Sequence, residues 1–245
     1  MPAIARPAKV VRLLAILALA GHGNAHAQPA PPELPPNTME ARVQACIGCH
    51  GQQGRGVDNV YFPRLSGKPA GYLYQQLVAF RDGRRQYVPM NYLLAYLPDA
   101  YLANIAAYFA AQNPVPLTVA TSVATPALLQ DGQRIVNAGL PDKGVPACVS
   151  CHGAALGGRE PGIPGLLGLR ADYVSAQLGA WRYGIRTALA PDCMQIVAAK
   201  LSEHDVAAVA AWVAAQPVQA QQRPLPAATA SATSLPLACG SQTTH

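Results

Sequence analysis

The chain has 245 residues, of which 51% are hydrophobic and only 12% charged, with 18 basic against 12 acidic residues and a formal net charge of +6. The basic residues form no run and do not alternate with aromatics, so a nucleic-acid-binding face is excluded despite the positive balance. Beyond the first 27 residues no stretch is long and apolar enough to span a bilayer.

In chain order, Arg6, Lys9 and Arg12 give a positive start and Leu13 to Ala20 is an unbroken apolar run. Ala25-His26-Ala27 then supplies a small-x-small cleavage pattern. This is the layout of a secretory signal peptide over residues 1–27, cleaved after Ala27. The alternative, an uncleaved N-terminal anchor, has only a short apolar run to work with. Three basic and no acidic residues leave with the signal, so the exported chain, starting at Gln28, carries +3. Gln28 to Asn37 is Pro-rich and reads as an extended leader. Thr38 to Ala45 reads as a short helix running into the first motif.

That motif is Ala45-Cys46-Ile47-Gly48-Cys49-His50-Gly51, and it recurs as Ala147-Cys148-Val149-Ser150-Cys151-His152-Gly153. C-x-x-C-H is the attachment signature of c-type haem. The thiols of Cys46, Cys49, Cys148 and Cys151 would add to the haem vinyl groups as thioethers. His50 and His152 would then lie beneath the two irons as axial ligands. Two other chemistries use paired C-x-x-C units. A structural zinc needs four ligands at one point, whereas here each pair carries its own His about a domain's length from the other. A thioredoxin-like redox pair needs a βαβ setting, and the flanks hold no β-rich runs.

The second half repeats the first. At an offset of 101, Pro63 and Leu65 meet Pro164 and Leu166, Tyr72 meets Tyr173, and Gln76-Leu77 meets Gln177-Leu178. Phe80-Arg81 meets Trp181-Arg182, and Gly83 and Arg85 meet Gly184 and Arg186. At 104, Met90 meets Met194, Leu97 meets Leu201, Tyr108 meets Trp212 and Ala111-Gln112 meets Ala215-Gln216. The expected organisation is a domain over 28–113, a linker over 114–126, a second domain over 127–217 and a low-complexity tail over 218–245. The Ala, Pro, Gln, Ser and Thr of that tail bury too little apolar surface to order it.

Within each unit the apolar spacing is helical. Tyr72, Leu73, Leu77 and Phe80 share one side of a helix opening near Pro69 and stopping at Gly83. Leu102, Ile105, Ala106 and Phe109 give the closing helix, as do Val206, Val209 and Val213 in the second copy. Ser202-x-x-Asp205 is a capping box for that last helix, and Leu128 to Ala138 leads into the second motif. Only Met39, Met90 and Met194 remain after signal removal, and two of them are repeat equivalents. A thioether suits haem iron as a second axial ligand, so Met90 and Met194 are the candidates; the competing role is filling a core gap. His204 looks solvated and His245 ends the tail. Neither has a repeat partner.

The ordered set C-x-x-C-H-G, Pro-x-Leu at Pro63 and Pro164, Tyr-x-x-x-Gln-Leu-x-x-Phe/Trp-Arg-x-Gly-x-Arg, and Met90 and Met194 resembles the dihaem class I cytochromes c, most closely the cytochrome c4 family. It covers roughly residues 40–217. The resemblance implies an all-α protein of two tandem cytochrome c-type domains, related by internal duplication and packed about a pseudo-two-fold axis. It further implies two covalently bound haem c groups and electron transfer in the periplasm. The Pro63 and Pro164 carbonyls would receive the Nδ1–H bonds of His50 and His152, and Arg81, Arg85, Arg182 and Arg186 would lie near haem propionates. For these arginines, solvated cations at helix ends are the alternative.

The expected partners are redox proteins: a cytochrome bc-type complex, a haem-copper terminal oxidase or a periplasmic dehydrogenase. Nucleic acid has no part, and membrane contact would come only through such complexes. The alternatives to a carrier are a haem enzyme with one five-coordinate iron and a fixed relay subunit of a dehydrogenase. Cys193, beside Met194, and Cys239 are left over, and a leftover pair in an exported protein suggests a disulfide. The alternatives for Cys193 are a small buried residue or a competing haem ligand. Each unit of about 90 residues is small for a self-sufficient core, so apoprotein is expected to be largely unfolded.

Overall fold

The computed structural model describes residues 37–59, 61–114, 124–217, 223–226 and 234–242. The expected signal peptide, most of the leader and linker, part of the tail and His245 lie outside the described residues. The N-terminal domain contains α1 (Met39–Arg42), α2 (Gln44–His50), α3 (Ala70–Arg81), α4 (Val88–Leu94) and α5 (Asp99–Ala111). The C-terminal domain contains α6 (Pro126–Ala138), α7 (Cys148–His152), α8 (Ala171–Arg182), α9 (Cys193–Lys200) and α10 (Glu203–Ala215). A two-residue hairpin, β1 (Gly158–Arg159) paired antiparallel with β2 (Ile163–Pro164), interrupts the helices.

The helices with clear apolar periods form where expected. Leu73 and Phe80 of α3 and Leu102, Ile105, Ala106 and Phe109 of α5 are buried. Beyond α3 the chain turns at Asp82, and Gly83 takes the left-handed conformation at φ 74°. The Ser202 hydroxyl accepts from Asp205 N at 3.1 Å while Asp205 Oδ2 accepts from Ser202 N at 2.9 Å, completing the capping box of α10. Helix α6 starts earlier than its periodicity suggested. Thr125 caps it through Leu128 N, and Pro126, expected in the linker, takes the first helical position, where its missing N–H costs nothing. The helix expected over Thr38 to Ala45 breaks at Val43, which leaves the helical region and buries its side chain. In the C-terminal core α6 crosses α10 so closely that Gly132 leaves no room for a Cβ against the Ala208 carbonyl.

The domains join along a strip of repeat-equivalent residues. Gln86 N donates to Ile185 O at 3.0 Å and Thr187 N to Arg84 O at 2.7 Å, so the backbones pair across Arg85 and Arg186. The Arg85 guanidinium donates to Gln76, Gln177 and the Tyr173 hydroxyl at 3.0, 2.7 and 3.0 Å. Arg186 mirrors it with Gln177, Gln76 and the Tyr72 hydroxyl at 2.7, 2.7 and 3.2 Å. The reading of these two arginines as solvated helix-end cations is therefore corrected: Arg186 is 4% exposed and both are spent on the seam. Arg81 instead pairs with Asp82 and Asp99, and Arg182 lies over the Tyr183 ring.

The tail departs from expectation. Leu225 pairs with the hairpin, its N–H donating to Gly158 O and its carbonyl accepting from Glu160 N, both at 2.9 Å. Further on, Cys239 is joined to Cys193 by a disulfide with a Cα–Cα distance of 5.0 Å, and Gly240 N donates to Pro191 O at 2.9 Å. Composition alone argued against order here. What orders these segments is one covalent bond and borrowed backbone pairing, neither of which needs apolar area.

Candidate haem sites

In the N-terminal domain α2 ends in Cys46, Cys49 and His50. Gly51 at φ 74° then turns the chain so sharply that a Cβ there would lie 2.5 Å from the Gly56 carbonyl. His50 is buried, and its Nδ1–H donates to the Pro63 carbonyl at 2.9 Å. A carbonyl only accepts, so the tautomer is fixed and Nε2 keeps its lone pair. Burial pushes the His50 imidazole down, against the Pro63 carbonyl and with the help of Arg85, so the ring is neutral at neutral pH. A cavity of about 660 Å³ opens here, lined by Cys46, Cys49, His50 and Met90 and walled by Leu73, Phe80 and other apolar side chains from both core clusters. Its size falls in the roughly 300–1,000 Å³ range of cofactor pockets.

Met90 sits in the first turn of α4, a helix that the sequence did not announce. The adjacent Asn91 holds that turn: its Oδ1 accepts from Tyr87 N at 2.7 Å and its Nδ2 donates to the Phe80 and Arg85 carbonyls.

The C-terminal domain repeats the arrangement. α7 carries Cys148, Cys151 and His152, and His152 Nδ1–H donates to the Pro164 carbonyl on β2 at 2.8 Å. Burial pushes this imidazole down as well, opposed by the Pro164 carbonyl and aided by Lys68. Cys148, Met194 and Trp181 pack against one core cluster containing Val136, Leu178 and Val209. Met194 lies not in a loop but in the first turn of α9, where Asp192 accepts from Gln195 N at 3.1 Å and from Ala188 N at 2.6 Å. The Cys193–Cys239 bridge pins the same turn, so Cys193 is committed to sulfur and is no rival ligand.

The chemistry of these donors fits covalent haem better than zinc. Burial pushes the Cys46 thiol up and the Cys148 thiol to about 11, as apolar surroundings do to a neutral thiol. Among the described residues no three His, Cys, Asp or Glu side chains converge on one point. Four cations, Arg64, Lys68, Arg85 and Arg186, line the cavity against one carboxylate, Asp172. Arg64, Lys68 and Arg186 are buried, with carbonyl or amide oxygens and a tyrosine hydroxyl as their contacts and no carboxylate. The buried Trp181 Nε1 has no acceptor from protein. Buried cations beside an apolar slot suit a flat macrocycle bearing carboxylates, because a buried charge is tolerated when paired; the Trp181 donor lies in the C-terminal core and not on this cavity.

Two residues of the motif set are positioned without help from periodicity, Asn91 and Asp192. Their only sequence signal is a polar residue placed beside a scarce methionine. His204, expected to be solvated, is exposed, and its Nε2–H donates to Asp131 Oδ2 at 3.0 Å.

No protein-family model matches the chain. It is similar to cytochrome c4 of Pseudomonas aeruginosa, 35% identical over 206 residues, covering 83% of this chain and 96% of that protein. The thiosulfate dehydrogenase electron acceptor of Thiomonas intermedia is 34% identical over 193 residues, 77% of this chain and 82% of that one. Among solved structures, reduced recombinant cytochrome c4 from Pseudomonas stutzeri matches with a TM-score of 0.61 and 34% identity over 71% of this chain and 94% of that one. The thiosulfate dehydrogenase of Marichromatium purpuratum matches with a TM-score of 0.64 and 32% identity over 70% of this chain; only 36% of that longer chain is spanned.

Proposed function

The chain belongs to the dihaem cytochrome c4 family and is an electron carrier with two covalently bound haem c groups, and on that premise we propose where each haem is held and where the protein works. Cys46 and Cys49 hold one haem and Cys148 and Cys151 the other. His50 with Met90, and His152 with Met194, would hold the two irons. Each haem supplies a one-electron ferric/ferrous couple when bound, with its potential raised by the soft thioether.

The observation that carries this reading is the matched pair of His Nδ1–H bonds to Pro63 and Pro164, at 2.9 and 2.8 Å. Such a bond fixes a ligating imidazole in orientation and tautomer, leaving Nε2 for the metal. The remaining residues exclude water and hold geometry. Asn91 and Asp192 set the first turns that carry the methionines, and the Arg85–Arg186 strip keeps the two sites in one rigid relation.

The protein works in the periplasm after cleavage at Ala27, turning over no substrate itself. Among the described residues no helix is long and apolar enough to cross a membrane. The protein's partners are redox proteins such as a cytochrome bc-type complex or a haem-copper oxidase. A second reading, a relay fixed to a periplasmic dehydrogenase, is favoured by one observation: the chain resembles about a third of a longer thiosulfate dehydrogenase chain.

Mass spectrometry of exported protein should give two added haem masses that survive acid–acetone extraction. Met90→Ala and Met194→Ala should each open one reduced iron to carbon monoxide and lower one midpoint potential. Extractable haem, a single haem, or a variant with both potentials unchanged would refute the corresponding assignment.

A further inference from the structure

We infer that the segment Cys239–Gln242 is a strap across the mouth of the C-terminal haem site, and that its bond to Cys193 is a latch which a dithiol reductant opens. The inference rests on the haem assignment proposed above and concerns access to that site.

The strap takes a place that tyrosines hold in the other domain. Tyr61 and Tyr87 stack with ring centroids 6.0 Å apart and planes 9° from parallel, and both line the N-terminal cavity beside Met90. Their repeat equivalents are Gly162, at an offset of 101, and Pro191, at 104. These two cannot stack, and the tail bridges them instead. Gly240 N donates to Pro191 O at 2.9 Å, and the Gln242 amide oxygen accepts from Gly162 N and Ile163 N at 3.1 and 3.2 Å. Glycine makes the room. A Cβ on Gly162 would collide with the Ser241 carbonyl, and one on Gly240 would lie 2.5 Å from the Leu189 carbonyl. Gln75 of α3 adds a bond to Ser241 O at 3.3 Å.

One end of the strap thus holds the residues just before Pro164, whose carbonyl receives the His152 N–H. The other end holds the turn that carries Met194. A segment tied to both ligand-bearing elements spans the edge of the site between them, as the stacked tyrosines do in the twin. The closures differ in kind. A stack of two side chains parts and re-forms without breaking a covalent bond, and Tyr61 is 63% exposed. The strap stays as long as the Cys193–Cys239 bond stands.

Both sulfurs of that bond are half-buried, not sealed in the core. The Ser241 hydroxyl lies 3.4 Å from Cys239 Sγ. A bridged sulfur carries no hydrogen, so the hydroxyl donates. It stabilises Cys239 as the departing thiolate, which directs attack onto Cys193 Sγ. One thiolate of the dithiol bonds to Cys193 Sγ as the Cys193–Cys239 bond breaks, and the second then displaces Cys193 from this mixed disulfide. The dithiol gives up two electrons and two protons and leaves as a disulfide. Cys193 and Cys239 are reduced to thiols, and the strap keeps only its hydrogen bonds.

The test is nuclear magnetic resonance on the exported, ferrous dihaem protein, with the resonances of each haem assigned to its domain and a neutral gadolinium chelate added to broaden protons open to solvent. Dithiothreitol should release two alkylatable thiols from folded protein with both haems retained. The C-terminal haem lines should then lose protection from the chelate, and the N-terminal lines should not change. The double variant Cys193→Ser, Cys239→Ser should show the same loss without reductant. Gly162→Ala should show it with the latch closed. Ser241→Ala should slow thiol release about fivefold, the worth of one hydrogen bond. Equal changes at both haems, no change at either, or no thiols from folded protein would overturn the strap and latch while leaving the haem assignment standing. Carbon monoxide binding after opening would also overturn the strap, because the bridge would then hold Met194 and not cover the site. A protein lacking one haem by mass would instead overturn the assignment.

Discussion

Replacing Cys193 and Cys239 together by Ser removes the bridge without leaving a lone thiol beside Met194. The bridge closes a loop across a sequence separation of 46. The chain-entropy relation for a loop of that length gives a stabilisation of about 4 kcal/mol, an upper figure because residual order in the unfolded chain subtracts from it. What holds the segment around residue 239 without the bridge includes the Gly240 N–H on Pro191 at 2.9 Å, the Gln75 amide on Ser241 O at 3.3 Å, and the Gln242 amide oxygen accepting from Gly162 N and Ile163 N at 3.1 and 3.2 Å. At about 1 kcal/mol each, these hydrogen bonds do not offset the cost of ordering nine residues at about 1–2 kcal/mol apiece. The tail segment should therefore detach before the domain unfolds. Met194 should stay in place, because the Asp192 cap of α9 does not involve sulfur. The assay is limited proteolysis beside guanidinium unfolding. Wild type should resist cleavage over 234–242 until reduced, whereas the double variant should be clipped at once and lose up to about 4 kcal/mol. Two free thiols in denatured, unreduced wild type would refute the reasoning, and so would a variant with unchanged midpoint and protease resistance.

Asn91→Ala removes three hydrogen bonds that hold the turn carrying Met90. It should cost about 2–3 kcal/mol and raise carbon monoxide binding at the N-terminal haem only, read by titrating the reduced protein. Asp205 gives the pH dependence. Burial pushes its carboxyl up, but the Lys143 ammonium at 2.6 Å and the Ser202 N–H and hydroxyl outweigh it and hold the carboxyl at about 2. A depressed folded value means stability that is full above the unfolded value near 4 and lost as pH falls toward 2. The contribution is about 2 kcal/mol, and Asp205→Asn should flatten that limb in acid unfolding followed by circular dichroism.

The parts legible in the sequence are those whose signal is local. The C-x-x-C-H units, the 3.6-residue period of α3, α5 and α10, and the Ser202–Asp205 box all sit in a few consecutive turns, and all three helices form where they were expected. The proline acceptors were legible only through the repeat and the family resemblance. Helices α4 and α9 were missed because seven and eight residues are too few to show a period; α4 is held by Asn91 reaching back to Phe80 and Arg85, while α9 carries a local N-cap, Asp192, whose signal the sequence reading did not use. The hairpin is two residues per strand and carries no alternation. The seam shows the same limit from the other side. Tyr72, Gln76 and Arg85 aligned with Tyr173, Gln177 and Arg186 at once, yet nothing local says that the matched residues would bind each other rather than solvent or cofactor. The tail was misjudged because composition weighs apolar area and does not weigh a bond to a distant cysteine.

Because Tyr72, Gln76 and Arg85 make the mirror image of the contacts of Tyr173, Gln177 and Arg186, that strip is complementary to itself. In an assembly of separate chains this is the signature of an isologous contact, where one surface serves both sides of a two-fold axis. Joining the two halves in one chain raises the effective concentration of one around the other. The geometry between the redox centres is inherited from the strip, and a substitution at Gln76 or Gln177 disturbs both halves at once, since each amide oxygen accepts from both arginines.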